Sequence, residues 1–323
     1  MFRKTRVAVL SGGPSSEYDV SLKTGRTVLD SLPEEYIGHD IFIDKAGNWH
    51  FEGIRREPKD ILKKVDVVFN ALHGEFGEDG KLQKLLDSFG VPYTGSGALG
   101  SAIGMNKVLT KRLCKTHGIK TAHHTVLKQH ELTHAKVVEL FKTFPMPAIV
   151  KPVASGSSVG VSVARTLPEL SRALVHAFEY GPEAIIEEYI VGKEATCGVI
   201  EHFRGHPLYA LMPVEIILPR KDGAVFDYTA KYTGGAKELC PGSFTPAEKK
   251  QIQDAAIAVH KVLGLKHYSR SDFIVHPKRG VYLLEVNTLP GMTRESLFPL
   301  ALSAVGSSIS EFVGHTLKLA LKR

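Results

Sequence analysis

The run Val281-Tyr-Leu-Leu-Glu285-Val-Asn287-Thr-Leu-Pro290-Gly291-Met-Thr-Arg-Glu-Ser296-Leu297 decides how the rest of the chain is read. Its first half alternates and is rich in β-formers, which is the pattern of a strand. Residues two apart on a strand face the same way, so Glu285 and Asn287 share a face. Pro290-Gly291 is a turn signal that ends the strand. Upstream, Arg270-Ser-Asp272-Phe-Ile-Val275-His is a second strand-like run, joined to the first by His276-Pro-Lys-Arg-Gly280. If residues 277 to 280 form the turn, pairing sets Asp272 opposite Glu285 and Arg270 opposite Asn287. Two like charges directly opposed destabilise a bare hairpin. A divalent cation between them removes the conflict, and an all-oxygen Asp/Glu/Asn set suits Mg²⁺ rather than zinc. A solvated hairpin face with its charges well apart accounts for the same residues, and spacing alone leaves both readings open.

Leu284-Glu285-Val-Asn287-Thr, with Pro290-Gly291-Met-Thr and Ser296-Leu297, resembles the metal-binding and substrate segment of D-alanine–D-alanine ligases, within the ATP-grasp superfamily. Composition is compatible with such an enzyme. The 323 residues suggest two or three domains, and 43% hydrophobic with 23% charged content is ordinary for a soluble globular chain. Cys114, Cys197 and Cys240 are far apart and form no CxxC pair, so neither a disulfide framework nor a zinc site is indicated. Reduced thiols in a cytosolic protein are the expectation. The basic N-terminus is followed only by Val7-Ala-Val-Leu10, too short for a signal-peptide core, and no apolar run has the length to cross a bilayer. The net charge of +7 comes from scattered basic pairs without aromatic interleaving. That argues for a solvated surface with some lysines kept for a phosphate-rich ligand, and against nucleic acid.

In chain order, an apolar strand at 6–10 leads into Ser11-Gly-Gly13-Pro-Ser-Ser16-Glu17-Tyr-Asp-Val20-Ser-Leu, the strand–turn–helix layout of an anion-binding turn. A carboxylate at a helix start is often only a favourable dipole contact. The resemblance gives Glu17 and Val20 more, since the family's Gly-Gly-x-Ser-x-Glu-x-x-Val-Ser-Leu segment contacts the first D-alanine. Val65-Asp-Val-Val-Phe69-Asn is a strand leading into Ala71-Leu-His73-Gly74-Glu-Phe-Gly77-Glu78-Asp79-Gly80, a loop at a sheet's carboxyl edge. A short strand with its exit loop is expected in 90–97. His73 matches the histidine of the family's corresponding substrate loop. Asn106-Lys107 opens a helix to about 115, closed by His117-Gly118; a strand at 125–127 and a helix from about 131 to 143 follow. Pro147-Ala-Ile-Val150-Lys151-Pro152 then enters Val153-Ala-Ser155-Gly156-Ser157-Ser158-Val159-Gly160 and a further strand. This lacks the Gly-Lys-Ser/Thr and following helix of a Walker A loop. A Gly/Ser loop can still cover phosphates with N–H groups and hydroxyls, and a plain flexible hairpin is the alternative. Ala154 and Ser155 stand where the family carries charged or bulkier residues.

The fold implied is α/β, with α+β in the ATP-grasp part: a three-domain ATP-grasp architecture with a doubly wound Rossmann-like domain over 1–104, a central subdomain over 105–190 and a C-terminal subdomain over 191–323. The reaction implied is ATP-driven formation of D-alanyl-D-alanine through an acyl phosphate, giving ADP and phosphate. By resemblance, Glu187 accepts from the adenine amino group, the backbone of Glu188, Tyr189 and Ile190 completes that edge, and Glu194 holds the ribose. Ser157 and Ser158 cover the phosphates. Asp272, Glu285 and Asn287 hold two Mg²⁺ (or Mn²⁺) beside ATP, with Lys107, Lys151 and Lys231 adding charge. Arg270 and the Gly291 N–H stabilise the oxyanion. Glu17, Ser157 and Tyr232 form a hydrogen-bonded trio across three domains, and Ser296 and Leu297 take the second substrate's carboxylate. Phe226 to Gly242 is glycine-rich enough to act as a lid, and Tyr232 favours an amine acceptor over D-lactate, with D-serine left open. Helices at about 246–263 and 308–321 are expected on the hairpin's sheet. The resemblance further implies a cytoplasmic homodimer joined through its N-terminal domain. A different ATP-grasp carboxylate–amine ligase, a catalytically dead nucleotide-binding protein and a basic nucleic-acid binder are the competing readings. The first would lack Glu17 and Ser296, the second a metal ligand or Arg270, and the third would need a basic cluster.

Overall fold

The structure, a computed structural model, describes residues 3–154, 156, 159–217 and 237–322. The expectations for Ser157, Ser158, Lys231, Tyr232 and most of the lid fall outside the described residues.

The chain opens with β1 (Thr5–Gly12), α1 (Tyr18–Asp30), β2 (Tyr36–Ile43), β3 (Trp49–Phe51), β4 (Ile54–Arg56), α2 (Pro58–Leu62), β5 (Val67–Asn70), α3 (Lys81–Ser88) and α4 (Ala98–Met105). The sheet order is β4-β3-β2-β1-β5, with β1 parallel to β2 and β5. β1 is apolar along most of its length because a parallel strand is covered on both faces. Val7 and Val9 pack with Val28 of α1, while Ala8 and Leu10 face Ile61 of α2 and Leu82 and Leu86 of α3. Helices on both faces make this the doubly wound layout expected. Its β2–β3–β4 edge is antiparallel, which the sequence did not announce. The strand expected near Tyr93 shrinks to one parallel bridge with Val68. Pro92 has no N–H, so it can only accept from Val68, at 2.8 Å.

Next come α5 (Lys107–Thr116), β6 (His124–Lys128), α6 (His134–Thr143), β7 (Ala148–Pro152), β8 (Ser162–Ala164), α7 (Leu167–Phe178) and β9 (Glu183–Glu188). The Asn106 side chain accepts from the N–H groups of Val108 and Leu109, which fixes where α5 starts. α6 begins three residues later than expected because Thr133 is its N-cap. The sheet runs β6-β9-β7-β8, antiparallel throughout. Leu127, Val150, Ala184 and Ile186 pack against Val137, Leu140, Leu170 and Leu174 of α6 and α7. By alternation, Lys151 and Glu187 emerge on the opposite face, together with His124 and Ile149.

The remainder is β10 (Lys193–Glu201), β11 (Leu208–Ala210), β12 (Val214–Ile217), β13 (Lys237–Leu239), α8 (Pro246–Val262), β14 (Tyr268–His276), β15 (Gly280–Asn287), α9 (Leu297–Ala304) and α10 (Ile309–Ala320). Strands follow the order β13-β12-β10-β14-β15, with β11 beside β10. Helix α8 lays Ile252, Ala256 and Val259 on Phe273, Val275 and Leu283, as expected of a helix covering the hairpin. Helix α10 does so only in part. Phe312 stacks edge-on to Tyr268 with centroids 5.0 Å apart, yet the same core includes Val7, Val9 and Val67 of the first sheet. The helix is a wedge between two sheets. Among the described residues no single helix is long and apolar enough to cross a membrane. Together α9 and α10 have the length and composition, but they meet at a 101° bend and bury Phe298, Phe312 and Leu317 in this core.

Candidate active site

The hairpin pairs Asp272 with Glu285 and Arg270 with Asn287, the register read from the sequence. The route to that register differs. Gly280 already belongs to β15 and pairs with His276, so the turn is one residue shorter than expected. A bulge at Leu284, between the Phe273–Leu283 and Asp272–Glu285 pairs, restores the count. The bulge also sends Leu284 and Glu285 to one side. Leu284 packs with Ile190 and Ile274, whereas Leu283 and Val286 join the core under α8.

Three side chains make four bonds to Asp272. Arg270 donates from Nε to Oδ1 and from Nη2 to Oδ2, both at 2.9 Å. Thr196 Oγ1 donates to Oδ1 at 2.6 Å, and Asn287 Nδ2 donates to Oδ2 at 3.0 Å. Glu285 faces Lys107 Nζ at 3.3 Å. Burial works to raise the Glu285 carboxyl, but Lys107 and Lys151 beside it hold it well below the usual range. On the facing sheet, Glu187 sits between two lysines: Lys111 Nζ is 3.1 Å from Oε1 and Lys151 Nζ is 3.1 Å from Oε2. Burial opposes the Glu187 charge, and the two ammoniums overcome it and lower its pKa. Lys107, Lys151, Glu187, Arg270, Asp272, Glu285 and Asn287 thus stand close together, on the two facing sheets and α5.

Glu17 stands at the N-cap position of α1 but makes no capping bond with its side chain. Instead Oε2 lies 2.8 Å from where a Cβ on Gly156 would stand, and equally close for Gly74. The carboxylate therefore touches the phosphate-type loop and the His73 loop together, which a mere dipole contact would not require. Gly74 carries φ +68, a second reason for glycine there. Val20 lies half-buried nearby on α1. His73 is buried with both ring nitrogens engaged, Nε2 with Thr24 Oγ1 at 2.8 Å and Nδ1 with the Leu289 carbonyl at 3.0 Å. Its observed contacts join two segments.

At the end of β9, the N–H groups of Glu188 and Tyr189 already donate to the carbonyls of His123 and Pro147. The Glu188 side chain turns to Arg279 at 3.3 Å. Only Ile190 and the segment's carbonyls are left for a ligand edge. Glu194 lies half-buried on β10, on the same face as Thr196. Gly291 comes within 3.0 Å of Ser296 Oγ at its would-be Cβ, and that hydroxyl also bonds Thr293 Oγ1 at 2.8 Å. Ser296 is the N-cap of α9 without a side-chain cap, and the Leu297 side chain is in the core. Leu297 can offer only backbone, at a helix end suited to an anion.

Two residues of the site escaped the sequence reading. Glu78 accepts from Gly74 N with Oε1, and from Thr288 N, Thr288 Oγ1 and Leu289 N with Oε2, all within 3.1 Å. Burial and the nearby Glu17 push its carboxyl up to about 7. The other is Lys111, whose signal was its spacing of four from Lys107, one helical turn.

The comparisons with known proteins agree with this geometry. The pattern described as D-ala D-ala ligase C-terminus matches residues 113–318, and the corresponding N-terminus pattern matches 6–61 and 51–96. A D-alanine–D-alanine ligase of Syntrophobacter fumaroxidans is 37% identical over 329 residues, covering 99% of this chain and 98% of its own. Among solved structures, the VanG D-Ala:D-Ser ligase of Enterococcus faecalis superposes with TM-score 0.84 at 30% identity, covering 98% and 99%. The D-alanine–D-alanine ligase of Bacillus anthracis complexed with ATP gives TM-score 0.80 at 30% identity, covering 98% of each chain. The chain belongs to the D-alanine–D-alanine ligase family.

Proposed function

We propose that this protein joins two D-alanines into D-alanyl-D-alanine at the expense of ATP, supplying a precursor for peptidoglycan. The observation that carries the reading is the convergence of Arg270, Asp272, Glu285 and Asn287 with Lys107 and Lys151 in one cleft, with Glu17 reaching Gly156 at its edge. A carboxylate is a poor electrophile at neutral pH. Phosphorylation by ATP turns one oxygen into a leaving group, after which the second amine attacks and phosphate departs.

Lys107 and Lys151 neutralise the triphosphate, together with Lys231 and the hydroxyls of Ser157 and Ser158. Arg270, held in a fixed plane by its two bonds to Asp272, and the Gly291 N–H meet the oxyanion. Glu17 and Val20 hold the first D-alanine, with His73 fixing the loop around it. Glu17, Ser157 and Tyr232 link the domains, while Ser296 and the Leu297 N–H take the second carboxylate. Glu187 accepts from the adenine amino group, Ile190 and the neighbouring carbonyls of Glu188 and Tyr189 line the base, and Glu194 binds the ribose.

The donor set fits two Mg²⁺ (or Mn²⁺). Its members are all oxygen donors, and both carboxylates are already neutralised by side-chain cations, Asp272 by Arg270 and Glu285 by Lys107. Among the described residues no group of three or more His, Cys, Asp or Glu side chains converges, so the set is two carboxylates with the Asn287 amide oxygen. Bound metal would neutralise charge on the phosphates. We infer further a cytoplasmic homodimer joined through the N-terminal domain, with domains 1–104, 105–190 and 191–323, each range supported by its own sheet.

The test is phosphate release from ATP with Mg²⁺, comparing D-alanine, L-alanine, D-serine and D-alanine with D-lactate, with product masses determined. D-alanine-dependent release yielding its dipeptide is expected. Release that needs D-serine moves the pocket towards the chemistry named for the Enterococcus relative. No release with any acceptor overturns the reading.

A further inference from the structure

Lys111 is a charged residue that the chemistry above does not use. It leaves the same face of α5 as Lys107, one turn later, and the two ammoniums diverge to opposite sheets: Lys107 to Glu285, Lys111 to Glu187. Its side chain is 0% exposed. Enclosing an ammonium so completely is costly unless its charge is answered. The answer is the Glu187 carboxylate, whose Oε1 lies 3.1 Å from Lys111 Nζ. Charge and hydrogen bonding hold this pair together, and a carboxylate oxygen that accepts from one ammonium keeps a second lone pair for another donor.

Lys151 already neutralises Glu187 from the other oxygen, so one lysine would suffice for charge alone. The two lysines differ in where they can go. Lys151 leaves β7 directly before the Gly/Ser loop, where a phosphate competes for it. Lys111 is sealed beneath the sheet and has no route to a ligand. His124 lies opposite Glu187 on β6, and burial lowers its pKa, so it adds no fixed charge at neutral pH. When phosphate claims Lys151, Lys111 is the cation that stays.

We propose that Lys111 is a positioning residue for nucleobase selection: it keeps Glu187 an ionised, oriented acceptor, so the pocket takes a 6-aminopurine nucleotide and rejects a 6-oxopurine one. The inference rests on the assignment of Glu187 to the base. An ionised carboxylate can only accept, which suits an exocyclic amino group and opposes a carbonyl oxygen. A protonated or swung-away Glu187 can donate or withdraw, and either loses the distinction.

The experiment uses the full chain and its Lys111→Met variant. Steady-state rates are measured with ATP and GTP, and binding of the non-hydrolysable analogues of both by calorimetry. The variant should raise the KM for ATP about tenfold or more and shrink the ATP-over-GTP preference by a similar factor. The kcat at saturating ATP and the KM for D-alanine should stay within about threefold. If Lys111→Met fails to fold, Lys111→Gln decides, because it removes the charge while its amide can still hydrogen-bond Glu187: loss of the base preference supports the proposal and an unchanged preference overturns it. An unchanged base preference in a folded variant overturns the proposal, and so does a uniform loss of kcat, both KM values and Tm with that preference intact. Absence of D-alanine-dependent phosphate release in the unaltered protein would sink the ligase reading instead, while the calorimetric preference would still report on Lys111.

Discussion

The two ends of the cleft answer charge in opposite ways. At the base end one carboxylate serves two lysines, and all three are nearly sealed: the Glu187 side chain is 2% exposed, Lys111 0% and Lys151 8%. At the metal end each carboxylate has its own cation, and the acids stay partly open, Asp272 at 20% and Glu285 at 26%. A sealed ion pair that loses one partner leaves a bare buried charge, so its members cannot exchange partners freely. An open pair can let water or another cation take over. On the proposed reading the base end is architecture that recognises, and the other end, where Glu285 stays partly open, is where a bound metal would compete with Lys107.

The largest effect should come from Arg270. Replacing it by Met removes the guanidinium that, on the proposed reading, meets the oxyanion, and loss of one preorganised oxyanion donor typically costs about 10²–10³ in rate. Turnover of Arg270→Met should fall at least that far while ATP still binds in calorimetry. Near-normal turnover would end that role for Arg270.

Stability measurements test the comparison itself. Glu187→Ala strands two enclosed lysines and should cost about 3–5 kcal/mol in denaturant unfolding. Glu285→Ala strands a single lysine, Lys107, whose own side chain is 8% exposed, and should cost less, about 1–3 kcal/mol. If the two variants are equally destabilised, burial is not what separates the ends.

The hinge between them runs through Glu17. A methyl on Gly156 would stand 2.8 Å from Glu17 Oε2, so Gly156→Ala must push loop and carboxylate apart. A displacement of that kind should lower kcat/KM for D-alanine about tenfold to a hundredfold, with the KM for ATP nearly unchanged. An equal rise in both KM values would mean that the loop moves as a whole and that Glu17 is not its anchor.

The pairing of the hairpin was legible in the sequence, and most of the joints were not. Asp272 and Glu285 are separated by one short turn, so local pairing sufficed to oppose them, even though the turn was one residue shorter and Leu284 bulged to compensate. Glu78 could not be singled out. The acids of the 74–80 loop look alike in sequence, and the groups that select Glu78, at Thr288 and Leu289, lie 210 and 211 residues away. Lys111 carried a usable helical spacing, but a lysine on a helix reads as solvated until its cover is known. The same limit applied to Tyr93, where Pro92 reduced an expected strand to one bridge.

The smallest effect sharpens the comparison most, because it uses neighbours. Glu187 and Glu188 are adjacent on β9 and, by the alternation of a strand, point to opposite faces. Glu188 meets Arg279 at 3.3 Å, with side chains 21% and 42% exposed, and the pair ties the β9 end to the hairpin turn. If enclosure sets the worth of a charge pair here, this one should be nearly worthless despite a distance close to that of its neighbour. A double-mutant cycle of Glu188→Ala and Arg279→Ala should give a coupling of about 0.2–1 kcal/mol that shrinks with added salt. Two carboxylates one residue apart would then differ severalfold in what they hold, for no reason except the side of the strand they leave from. A coupling above about 2 kcal/mol would show that the Glu188–Arg279 tie bears on how the two sheets sit, and the division between a sealed base end and a more open metal end would have to include it.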